Sequence, residues 1–229
     1  MVGRADAPQA GPPYQVHGCT ATKGGRQTPY ALAVASLVDR SRAVVLRAAF
    51  ALALTAGASG CASSGATFSA SGPCLADGRQ PGAYPDLERQ IPPTFEGHPP
   101  DRLDSGRNCS DANLGLLKDH GIREVRFAGG LWQLAPATGV TLAIFTGNGL
   151  QADWLAAFYE AGARAAPKVS GLSVSHPSVG GRPAVRLDYT DAGTPQTIVV
   201  WPAGEETVHV VLAAGVPDRI VQEAITAFG

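Results

Sequence analysis

The chain has 229 residues, 45% apolar and 16% charged, with a formal net charge of −1 at pH 7. This is the composition of a folded chain of one or two domains rather than of a disordered one. The near-neutral balance, with no basic run, excludes the electrostatic footprint of a DNA- or RNA-binding protein.

The charge divides at Cys61. Residues 1–60 carry six Lys or Arg against two acids, a net of +4, and residues 61–229 carry twelve against seventeen, a net of −5. Residues 1–37 are rich in Gly, Pro and polar residues without a sustained apolar period, so they bury too little surface to offset the entropy of ordering. They are expected to be disordered, or to lie upstream of the true translation start. Met1 is the only methionine, and a start at Val38 leaves 23 residues before Cys61, within the usual length of a secretory signal.

Residues 38–60 have the parts of such a signal: Arg40, Arg42 and Arg47, then the uncharged "AAFALALTAGAS", then small residues before a cysteine. The run falls short of the roughly 20 apolar residues of a transmembrane helix. Its end, "ASGC" from Ala58 to Cys61, resembles the lipobox of bacterial lipoproteins, although Ala58 stands where Leu is usual and Leu54 lies four residues earlier. The resemblance implies cleavage before Cys61 and acylation of its thiol with fatty acids such as palmitate. The protein would then be held by that lipid on the extracytoplasmic face of the cell membrane. An unlipidated signal peptide, or an apolar helix with a buried Cys61, is the plainer alternative.

The Ser, Gly and Ala residues of "CASSGATFSASGP", residues 61–73, are the composition of a flexible tether. Cys19 falls in the upstream segment and Cys61 is assigned to lipid, which leaves Cys74 and Cys109 as a pair. Outside the cytoplasm a disulfide is the expected state of that pair. Closing its loop of about 36 residues is worth on the order of 4 kcal/mol in the chain-entropy treatment. A two-cysteine metal site is the alternative, but no CxxC or Cys/His cluster accompanies them.

Residues 74–229 are expected to form a single α+β domain. "YPDLERQIPPTF" predicts a short helix with Pro85 in its first turn, and "CSDANLGLLKDHG" a second, capped by Ser110 and stopped by Gly121. "REVRFA" and "GVTLAIFTG" predict a hairpin. "LQADWLAAFYEAGARAAP" places Leu150, Trp154, Leu155, Phe158 and Ala161 on one helical face. "GLSVSHP", "RPAVRLDYT", "PQTIVVWPA" and "ETVHVVLAAG" predict four more strands, and "PDRIVQEAITAFG" a terminal helix. The sum is a mostly antiparallel sheet of about six strands with helices on one face. The second half resembles small exported lipoproteins of high-GC bacteria with a Mog1/PsbP-like sheet, a resemblance of fold that implies no catalytic residues.

The search for chemistry is less productive. His98, His120, His176 and His209 are scattered, with His120 expected to complement a helix C-terminus and His209 to face solvent. Ser173 in "GLSVS" lacks the second glycine of a nucleophile elbow. The acidic groups Asp101, Asp104 and Asp111, and Asp188 and Asp191, lack calcium-loop spacing and read as solvated turns. "FTGNG" joins a strand to a helix without a phosphate-loop motif, so Asn148 and Gly149 read as turn residues. Trp132 in an irregular stretch and Trp154 on the apolar helix are the candidates for ligand contact, Trp132 if exposed. No catalytic residue, metal ligand or cofactor is assigned. The expected function is non-catalytic binding at the membrane surface. A carrier of a lipid or apolar small molecule, held between the sheet and the Trp154 helix, is the alternative, and a hydrolase with a dispersed active site is the second.

Overall fold

The computed structural model describes residues 67–228. The signal, Cys61 and the upstream segment lie outside them.

The body is built on one antiparallel sheet of eight strands. β1 (Gly78–Gln80), β2 (Arg102–Asn108), β3 (Val125–Ala135) and β4 (Thr138–Thr146) form one meander. β5 (Val169–Ser175), β8 (Val185–Asp191), β9 (Thr194–Pro202) and β10 (Thr207–Ala214) form another, while β6 (Ser178–Val179) and β7 (Arg182–Pro183) make a small separate hairpin. The spatial order is β1-β2-β3-β4-β10-β9-β8-β5, so the meanders meet where β4 pairs with β10, with Thr146 opposite Thr207. The α+β class is as expected. The sheet has eight strands rather than six because the N-terminal edge, β1 and β2, carries glycines, arginines and an aspartate where a strand pattern would carry apolar residues.

Among the described residues four helices accompany the sheet: α1 (Pro85–Glu88), α2 (Asp111–Leu114), α3 (Ala152–Ala165) and α4 (Asp218–Ala227). Ser110 caps α2 as expected, its hydroxyl accepting from the Asn113 N–H. The predicted second helix is nevertheless broken. Gly115, at φ 51°, ends α2 after one turn, and the chain continues as 3₁₀ turns over Gly115–His120 until Gly121 stops it at φ 83°.

The helices cover both faces rather than one. On one face, Leu155 and Ala156 of α3 pack with Leu114, Leu117 and Ile122 over Ile198, Val200, Val208 and Val210. On the other, Ile220, Val221 and Ala224 of α4, with Phe228 just after it, pack with Ile91 and Phe95 over Leu142, Ile144, Val199, Trp201 and Val211. The cause lies in the central strands, whose runs Leu142–Ile144 and Ile198–Trp201 are buried without interruption. A strand apolar on both sides needs cover on both sides. Each large side chain so buried contributes roughly 1.5–3 kcal/mol. Among the described residues no helix is long and apolar enough to cross a membrane.

One end of the sheet collects the features that matter below. There β2 and β4 finish, β3 and β10 begin, and Cys74 is bonded to Cys109 with Cα atoms 6.1 Å apart. Within residues 67–73, read from composition as the end of the tether, Phe68, Gly72 and Pro73 are held against this disulfide end. Arg107, 1% exposed, donates from Nη1 to the Gly72 carbonyl at 2.9 Å and from Nη2 to the Pro73 carbonyl at 2.8 Å. Phe68 lies against Gly78, where a Cβ would collide with its ring. Asp77 completes the clamp by accepting from the backbone of Cys109 and Ser110, from the Ser110 hydroxyl and from the Asn113 amide. Burial would raise this carboxyl, but those hydrogen bonds outweigh it and hold it below the usual carboxylate range.

Candidate functional site

The structure separates the residues that the sequence offered. Trp132 is fully buried rather than exposed: its Nε1 donates to the His98 carbonyl at 3.0 Å and its ring meets Phe95 edge-on at 5.8 Å. It belongs to the α4-side core, because the irregular-looking "GGLWQLA" is the second half of β3. Trp154 is half-buried on the opposite side of the sheet and stacks on the His120 ring at 4.2 Å. The two tryptophans therefore line no common site. Between α3 and the sheet, Leu155, Ala156, Val200 and Val210 belong to one core.

Other expectations are corrected as well. His209 does not face solvent: it stacks flat on Phe228 at 4.0 Å and meets Trp201 edge-on at 5.5 Å, with Nδ1 buried and unpartnered. Desolvation, followed by the charge of Arg182, lowers its pKa to about 4. Asp104 is not in a solvated turn but in β2, 5% exposed, where Arg102 approaches it at 2.5 Å and Arg79 at 3.7 Å. Asp188 is held by Arg186, which also reaches Asp218 at the start of α4. Ser173 is an exposed residue of the edge strand β5, and Gly149, at φ 74°, is the turn residue expected.

A shallow, half-open polar hollow was not foreseen. It opens at the disulfide end, occupies about 410 Å³, and lies where Gly121, Arg123 and Glu124 enter β3 and the turn after β4 meets the β9–β10 turn. Glu124 organises it: Oε1 lies 2.8 Å from Nε of Arg126 and 3.6 Å from the buried Arg107. Arg126 also lies over the Tyr84 ring, 5.4 Å from its centroid, and the hydrogen bond to Glu124 holds it firmly cationic. On the far wall, Gly149 N–H donates to Oε1 of Glu206 at 2.9 Å and Gly147 N–H to its carbonyl at 3.2 Å. Arg123 is exposed and makes no ion pair among the described residues.

Such a lining offers cationic donors, carboxylate acceptors and backbone amides, and it holds no Ser, Cys or His. It can orient a small polar or charged group by hydrogen bonds. Nothing in it pairs a nucleophile with a base. Among the described residues no group of three or more His, Cys, Asp or Glu could hold a metal ion. Sequence reading passed over the cavity because its parts read separately as a strand start, a turn at "TGNG" and a turn at "GEE". Only the pairing of β4 with β10 brings them together.

The fold and cavity thus define a class: an antiparallel α+β domain with a polar cleft at one end of its sheet. Compared with known proteins, the chain matches no family model and no curated protein.

Proposed function

We propose that the protein is a lipid-anchored, extracytoplasmic binding domain, held to the cell membrane through Cys61 and acting by binding rather than by turnover. The observation that supports the reading most directly is a clamp that lies a few residues after the lipobox-like "ASGC". There the disulfide, Arg107 and Asp77 tie the backbone down and Phe68 lies against Gly78. A domain pulled from its N-terminus by an anchor needs that end fixed. The strand-end cleft, with Arg123, Glu124, Arg126 and Glu206, is the binding element, and its ligand is small and polar or charged.

Expression of the full chain and of Cys61→Ala in a bacterium that processes lipoproteins tests the anchor. The wild type is expected in the membrane fraction, released by detergent and not by salt, and the variant in the soluble fraction. Equal distribution of the two would defeat the reading.

A further inference from the structure

We propose that the disulfide end of the domain rests on the lipid surface itself, with Leu75 and Leu116 in contact with the bilayer. The inference rests on the lipid anchor at Cys61 and adds the orientation and the contact surface. Two independent observations carry it.

The first is covalent reach. Cys61 and Thr67 are six peptide units apart, and fully extended chain at roughly 3.3–3.6 Å per residue spans about 20 Å. Residues 67–228 form a body about 40 Å across at ordinary protein compactness. The chain enters that body at the disulfide end, where Gly72 and Pro73 are held by Arg107 and Gly78 pairs with Arg107 across β1 and β2. An anchor on Cys61 therefore keeps this end near the membrane, and the body cannot rest on the opposite end alone, with the β3–β4 and β8–β9 turns down.

The second is where the apolar surface lies. Among the described residues the large hydrophobic side chains left exposed are Leu75 at 73% and Leu116 at 43%. Leu75 follows Cys74, and Leu116 lies in the 3₁₀ turns that follow Cys109 and Ser110. Leu75 adjoins the disulfide, and Leu116 lies one short helix beyond it in the chain, on the end that the anchor draws to the lipid. Arg107 and Asp77 fix the backbone on either side of Leu75, and Asp77 also fixes Ser110 and Asn113 ahead of Leu116. Exposed leucines on a surface held against a bilayer bury themselves in the headgroup region. The polar cleft opens at the same end, which places its ligand near the membrane surface.

Tryptophan placed at these positions reads the contact. Leu75→Trp, Leu116→Trp and, at the opposite end, the exposed Gln133→Trp are made in the full chain, extracted from membranes and reconstituted into phosphatidylglycerol and phosphatidylcholine vesicles with brominated acyl chains. After subtraction of the wild-type emission, the signal at 75 and at 116 is expected to lose most of its intensity to the brominated lipid, and the signal at 133 to lose none. Quenching of 75 and 116 by aqueous acrylamide but not by brominated lipid means that they face water and overturns the proposal. Protection from both quenchers means that a second copy or another part of the chain covers them, and overturns it equally. If the wild type itself is not recovered with membranes, the anchor fails and the orientation falls with it. Recovery with membranes but no lipid quenching sinks the orientation alone.

Discussion

His209 shows how much one side chain depends on a face that its own strand does not reveal. Val208 and Val210 point to α3, so simple alternation places His209 and Val211 outward, yet Phe228 of the terminal segment closes over that side. The imidazole is consequently kept neutral until about pH 4, against 6.5 for an ordinary histidine, by desolvation and then by Arg182. Below pH 6.5 the unfolded chain binds a proton that the folded one refuses. The stability due to the neutral ring is therefore complete above pH 6.5 and is lost as pH falls toward 4. Thermal melts across that window are expected to show a falling midpoint. His209→Phe, which keeps the stack and removes the titration, should flatten the fall, and an unchanged slope would contradict the assignment. Asp104 teaches the same lesson in reverse: an aspartate among "DRLDSGR" reads as solvated, and only pairing with Arg102 and Arg79 lets it enter a strand.

At the scale of elements, legibility followed burial. α3 and α4 were readable because each places an apolar stripe on a core, and the strands from β8 to β10 because their apolar residues recur within short, turn-bounded runs. β1 and β2 were not, since their order comes from Arg107, Asp77 and the disulfide rather than from apolar period. Gly106 lies in β2 so close to the Gly78 carbonyl and Arg79 that a Cβ has no room. This edge is therefore stapled by specific groups, and the staple has a measurable worth. The pairing of Cys74 with Cys109, across a separation of 35 residues, was legible by elimination, and it is formed. Replacing both by serine is expected to cost about 2–4 kcal/mol. Denaturant unfolding of the oxidised wild type and the double variant measures the loss. A difference near zero would show that Arg107 and Asp77 hold the edge without it.

For the whole molecule, the class was legible and the layering was not. Runs such as Ile198–Trp201, buried on both sides, mark a sheet covered on both faces, a pattern that a residue-by-residue search for alternation hides. The cleft was illegible for a different reason: Arg123, Glu124, Arg126 and Glu206 come from segments that converge only once β4 pairs with β10. The anchor depends on the opposite kind of information, a local motif at Cys61 that precedes the described body. It is also the claim on which the proposed function and the orientation both depend. Mass spectrometry of the N-terminal peptide of the mature, membrane-extracted protein tests it most directly. The expected result is a peptide that begins at Cys61 and carries fatty acyl chains; a peptide that runs through Cys61 with an unmodified thiol would contradict the account.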